Sequence, residues 1–173
     1  ALTVDLDADD SFGPGGYDFA PDTACRAPFP ICDTDVRARQ PIPVDSIRVV
    51  LSAPPDGDLE YLTLDPLPPG LQLSGAGADT LTLINGGGAA SALFEEALRN
   101  IRYENDSPVV TFGTRAVAVI TYAWVYESDP AYAYLTLGND PLQPGAAFTL
   151  PTCHGDSDGA IALSPGGTTG PYT

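Results

Sequence analysis

The chain has 173 residues, 43% of them hydrophobic, which suits one domain or one domain with part of a second. Its 23 acidic and 7 basic residues give a formal net charge of −16, and every basic side chain is arginine. Such a charge argues against an electrostatic grip on nucleic acid or anionic lipid, and no apolar run reaches the ~20 residues of a membrane span.

The opening residues Ala1 to Ser11 alternate as a short strand and run into an acidic loop. Gly13-Pro14-Gly15-Gly16 then forbids regular structure. Residues 17 to 36 carry Cys25 and Cys32, which bracket a loop containing Pro28 and Pro30. A loop so pre-bent favours a Cys25–Cys32 disulfide, with two buried thiols on adjacent strands as the competing reading. Strands are predicted over Ser46–Ser52, Leu59–Leu64, Leu71–Ser74 and Thr80–Ile84, joined by Pro- and Gly-rich connectors. That rhythm indicates an all-β fold.

One helix interrupts it. After Asn85-Gly86-Gly87-Gly88, Ser91 is predicted to cap Ala92 to Asn100, with Leu93, Phe94, Ala97, Leu98 and Ile101 on one stripe. A helix this short needs the core to hold it. Thr114 to Tyr126 is predicted as one long central strand, apolar on both faces. Glu127-Ser128-Asp129-Pro130 turns it into Ala131–Leu137, where Tyr132 and Tyr134 share a face. Cross-strand pairing with Tyr122 or Trp124 is expected there, as sheet packing or as a carbohydrate platform. Beyond Gly138 the composition changes. Residues 139–151 read as a linker, and residues 152–173 hold one strand, Ala160 to Ser164, together with Cys153, the odd cysteine, expected to be intermolecular or unpaired.

Catalytic groupings do not emerge from this sequence. The only imidazole, His154, sits in a Gly/Asp turn beside Cys153; there is no lysine, no Gly-x-Ser-x-Gly and no phosphate loop. A non-catalytic protein is expected. Calcium is the cofactor that the acids suggest. Asp5-x-Asp7-x-Asp9-Asp10, Asp33-x-Asp35, Asp56-x-Asp58 and Asp156-x-Asp158 each place carboxylates two apart. In a tight loop such pairs close around a cation, although none has the spacing of an EF-hand. Asn105-Asp106-Ser107 is a glycosylation sequon followed by Pro108, which disfavours modification.

Several runs carry a resemblance: Pro55-Asp56-Gly57-Asp58-Leu59-Glu60-Tyr61-Leu62, Leu67-Pro68-Pro69-Gly70-Leu71, Thr80-Leu81-Thr82-Leu83, and above all Phe94 to Asn105 with its Ile101-x-Tyr103-x-Asn105. Together with the acidic opening Val4 to Ser11 and the step Asp33-Thr34-Asp35-Val36, they resemble a bacterial cadherin-like repeat of chondroitin-sulfate-proteoglycan type. Thr152 to Ile161 and Gly166 to Thr173 resemble the start of an SprB-type adhesin repeat.

The resemblance implies a cadherin/immunoglobulin-like antiparallel β-sandwich over residues 1–138, with the short helix near residues 91–100. Residues 139–151 would be a linker, and residues 152–173 a partial SprB-like repeat or a donated β tail. It implies a structural or adhesive module of a secreted, extracellular bacterial surface protein. The expected partners are neighbouring modules, identical subunits, or surface glycans and proteins, with no nucleic acid and no membrane insertion. The alternatives are a filament subunit assembled by strand donation and a glycan-binding module using Tyr122, Trp124, Tyr132 and Tyr134. If calcium binds, the expected ligands are Asp33, Asp35 and Asp129, helped by Glu104 or Asp106. The sequence departs from calcium-binding relatives where Tyr126-Glu127-Ser128-Asp129-Pro130 replaces an acidic Asp-Gly at the end of the long strand.

Overall fold

The computed structural model describes residues 2–14, 16–20, 28–39, 42–137, 146–149 and 160–163. The expected residues Cys25, Cys153 and His154 lie outside these. In chain order the strands are β1 (Thr3–Asp5), β2 (Tyr17–Phe19), β3 (Phe29–Pro30), β4 (Arg37–Arg39), β5 (Ser46–Ser52), β6 (Glu60–Leu64), β7 (Leu71–Ser74) and β8 (Thr80–Asn85). The helix α1 (Ser91–Asn100) follows, then β9 (Ile101–Asn105), β10 (Gly113–Ala123), β11 (Tyr126–Glu127), β12 (Ala131–Leu137), β13 (Ala146–Thr149) and β14 (Ala160–Leu163). The protein is therefore built from β-sheets with one short helix. Among the described residues, no helix is long and apolar enough to cross a membrane.

A seven-stranded sheet runs β2-β12-β10-β5-β8-β7, with β11 folded back on β10. A three-stranded sheet runs β3-β9-β6, and β1-β4 and β13-β14 form two-stranded sheets. Pairing is antiparallel except for β2 on β12, which is parallel. The alternation of side chains explains the core. On β5, Ile47, Val49 and Leu51 are buried, and on β8 Leu81 and Leu83. Period-2 burial of this kind puts one face of the sheet inward. The same cluster takes Leu62 and Leu64 from β6, and Ile101 and Tyr103 from β9. One apolar core thus receives side chains from both larger sheets, and each fully buried aliphatic contributes roughly 1.5–3 kcal/mol.

Two predicted elements need correction. Ser91 does not cap the helix. Ala90 holds the capping position with extended backbone (φ −74°, ψ 156°) and offers no side-chain bond. The helix is instead held from below, where Phe94, Ala97 and Leu98 are buried. It stops at Ile101, which turns extended and begins β9 without a loop.

The long strand also ends sooner than expected. It spans Gly113–Ala123, and Trp124 and Val125 form a hairpin tip instead of continuing it. Trp124 takes φ 57°, a left-handed conformation that a bulky residue rarely adopts. The tip is fixed by three contacts. The Trp124 N–H donates to Asp45 Oδ2, the Asp45 N–H donates to the Tyr122 carbonyl (2.9 Å), and the Thr121 N–H donates to Ser128 Oγ (3.0 Å). An apolar alternation that reads straight through a turn hides it, because the polar contacts of Asp45 and Ser128, and not the apolar pattern, set the reversal.

A tight turn between β7 and β8 rests on glycine. Gly75 has φ 82°, and a Cβ there would sit 2.1 Å from the Thr80 carbonyl oxygen. No other residue fits without shifting the backbone.

Candidate functional site

Four acids converge near the start of the chain. Asp7 and Asp9 lie in the loop between β1 and β2, and Asp33 and Asp35 in the loop between β3 and β4. One carboxylate oxygen from each lies within 4.8 Å of the others. Leu6, buried in the core, anchors the first loop, and the Asp33 N–H donates to its carbonyl (2.8 Å), tying the second loop to the first. Asp35 Oδ1 accepts the Ala8 N–H (3.0 Å).

Within the first loop the carboxylates organise the backbone. Asp7 is buried, with Oδ2 accepting the Phe12 N–H (2.6 Å) and Oδ1 the Ser11 N–H (3.1 Å) and hydroxyl (3.2 Å). Asp9 accepts the Ser11 N–H as well (3.0 Å), and bonding to Ser11 holds its carboxyl below the usual range. Ser11 Oγ also reaches Asp33 Oδ2 (3.4 Å). The loop turns through Asp10, at φ 56°, a left-handed conformation in which Asp is one of the commoner non-glycine residues.

This group can hold a metal ion. Its donors are all oxygen, and calcium takes six to eight oxygens at about 2.3–2.6 Å, so opposite ligands sit roughly 5 Å apart. Four like charges so close repel each other, and a divalent cation relieves that repulsion.

The structure brings together only part of the expected ligand set. Asp33 and Asp35 are in the group, joined by Asp7 and Asp9. Glu104, on β9, accepts the Thr63 hydroxyl (2.7 Å), and Asp106 accepts the Tyr61 hydroxyl (2.8 Å). The Asp106 bond, followed by partial burial, pushes the Tyr61 phenol up to about 12. Asp129 lies in the turn between β11 and β12. The signal for Asp7 and Asp9 was their spacing two apart; no pattern in the sequence says that they meet Asp33 and Asp35.

Asp56, from another of the spaced pairs, serves a different purpose. Arg115 of β10 and Glu60 of β6 are both buried, and Arg115 Nε meets Glu60 Oε2 at 2.9 Å while Nη2 meets Oε1 at 3.0 Å. The Tyr103 hydroxyl donates to Glu60 Oε2 (2.7 Å), and the Asp56 N–H to Glu60 Oε1 (2.8 Å). Asn105 Nδ2 donates to Asp56 Oδ2 (2.8 Å), so the atom of the sequon that would carry a sugar is engaged inside the fold. Burial disfavours the Arg115 charge, but Glu60 outweighs it and the guanidinium is held above its ordinary value.

Among the described residues Cys32 is a buried thiol, and burial pushes it up to about 12. The expected bond to Cys25 falls on a residue outside those described. Of the four rings weighed for a glycan platform, Tyr132 and Tyr134 are exposed and stacked at 6.0 Å. The register puts Ala118 and Ala116 opposite them, not Tyr122 or Trp124. Trp124 projects from the hairpin tip, 86% exposed, so the four do not form one ladder.

No protein-family model, curated protein or solved structure matches this chain.

Proposed function

We propose that the chain is a non-catalytic structural or adhesive module of a secreted bacterial surface protein, with a cadherin/immunoglobulin-like β-sandwich stiffened by calcium. The observation that carries the reading is the convergence of Asp7, Asp9, Asp33 and Asp35. These acids belong to two loops far apart in sequence. An ion between them would clamp the opening segment, through Leu6 and the β1-β4 pair, onto the core. A module under tension benefits from such a clamp, because the ends of a domain are where local unfolding begins. The resemblance to cadherin-like repeats agrees with this role.

The test is thermal unfolding in millimolar calcium and then in chelator. An ion that binds only the folded state at a hundredfold excess over its Kd stabilises by about 2.7 kcal/mol. For a chain of this size that raises Tm by roughly 5–10 °C. An unchanged Tm would remove calcium from the reading.

A further inference from the structure

We propose that the outer face of the seven-stranded sheet is a self-complementary surface that packs on a second copy of this chain with the strands of the two sheets crossing. The inference rests on the reading of the chain as a structural module whose neighbours include identical subunits.

The face is set by alternation. Opposite the buried rows lie Val50 on β5 and Ala116 and Ile120 on β10, all half-buried, with Tyr132 and Tyr134 on β12 exposed and Ala118 on β10, although on the same side, itself buried. Tyr132 and Tyr134 are each 39% exposed, and Ile84 at the β8 end is 38% exposed. In a chain of net charge −16, the charged side chains on this face are Asp18 on β2, Arg48 on β5 and, at the far end of β10, Glu127 on β11 opposite Tyr122, so the face carries a single net negative charge. All three are exposed. Among the described residues the salt bridges belong to Arg115, which leaves Arg48 without one. Two such acidic molecules meet with least repulsion here.

The placement of Asp18 and Arg48 fixes the geometry. Asp18 stands opposite Tyr134, Tyr134 opposite Ala116, and Ala116 opposite Ser52, four residues along β5 from Arg48. Three strand spacings of ~4.8 Å and four residues of ~3.3 Å separate the charges by about 14 Å across the strands and about 13 Å along them. The line joining them therefore runs at about 45° to the strands, and its midpoint falls between Tyr132 and Ala118, which are cross-strand partners. A two-fold axis lying in the face through that midpoint, perpendicular to the line, brings Arg48 onto Asp18 of the second copy twice. It also crosses the two sheets at about 90°, one of the two angles at which sheets pack. Tyr134 then lies near Val50 and Arg48 of the second copy, where ring and guanidinium attract. The shared area, about 20 Å by 20 Å on each copy by the same spacings, belongs to the weak and transient class.

Sedimentation equilibrium of the full chain tests this. A dimer with Kd in the tens of micromolar is expected. Asp18→Arg and Arg48→Asp each turn two symmetry-related attractions into repulsions, and each should weaken association about tenfold. The double exchange, Asp18→Arg with Arg48→Asp, should restore it to within about threefold, while Trp124→Ala leaves it unchanged. Circular dichroism checks that each variant folds. A chain that stays monomeric to about 1 mM, whether its tyrosines serve a glycan or nothing, overturns the proposal. So does a dimer indifferent to the single exchanges, or one lost with Trp124→Ala. The calcium experiment reads the acidic cluster alone, so failure of either leaves the other standing.

Discussion

Arg115 and Glu60 join the two larger sheets through the core, at 2.9 Å, with both side chains fully buried. The pair sits on opposite inward faces, Arg115 on β10 and Glu60 on β6. Tyr103, Asn105 and Asp56 satisfy the surrounding donors and acceptors. Removing one partner strands the other charge in the core. Arg115→Met is expected to cost about 3–5 kcal/mol in urea unfolding, and Arg115→Met with Glu60→Leu to recover most of that loss. A loss smaller than about 1 kcal/mol for the single variant would show that the pair carries no structural weight.

Calcium stabilisation, if it comes from the acidic cluster, should disappear with Asp33→Asn or Asp35→Asn and survive Glu104→Gln and Asp129→Asn. The difference in Tm with and without the ion decides it, since each variant is compared with itself. Retention of the full shift in both cluster variants would place the ion elsewhere.

Stability should fall at both ends of the pH scale. Burial pushes the Asp56 carboxyl up, but bonds from Thr111 and Asn105, with Arg115, outweigh it and hold it below the ordinary 3.8. A depressed carboxyl contributes stability above that ordinary value, and the contribution is lost as pH falls through the lower folded value. Cys32 and Tyr61 are both raised to about 12, from 9.0 and 10.0. Their contributions are complete below those ordinary values and vanish as pH rises through about 12. Tyr17 and Tyr103 are raised too, chiefly by burial. An ultraviolet titration of the tyrosines should therefore show a delayed step that coincides with alkaline unfolding. A single step near pH 10 would contradict the buried and bonded state of these phenols.

The helix start is open to improvement. Ala90 has the backbone of a capping residue, is exposed, and offers no acceptor. Ala90→Ser should raise stability by about 0.5–2 kcal/mol, read as a higher urea midpoint at constant slope. No gain would mean that the first turn finds its partners elsewhere.

Trp124 should be removable without loss of stability. Its left-handed backbone costs roughly 1 kcal/mol or more for a bulky residue. Its ring is exposed and lends little to the core. Trp124→Gly is expected to leave stability unchanged or raise it by up to ~1 kcal/mol. In the parent protein its fluorescence should be that of a solvated indole and should be quenched freely by iodide. A shielded, blue emission would refute the hairpin tip.

Much of the fold was legible because burial follows alternation. Ser46–Ser52, Leu71–Ser74 and Ala131–Leu137 carry their own pattern, and the structure places strands at those bounds. Short strands such as β2 and β3 were not legible, since two or three residues hold too little periodicity, and only their pairing with β12 and β9 makes them strands. The strand end at Ala123 was hidden for the opposite reason, as the apolar pattern continues past a reversal that Asp45 and Ser128 impose.

By itself the sequence determined the all-β character, the short dependent helix and the acidic pairs, because each is a local property of composition and spacing. Which acids meet, which charges are buried and which face stays open depended on contacts between distant segments. Asp7 and Asp33 come together because Leu6 enters the core and its carbonyl takes the Asp33 N–H. Arg115 and Glu60, 55 residues apart, pair because both point inward from different sheets. Such partners carry no local signature; the packing of one core, in which a buried charge must find its opposite, selects them.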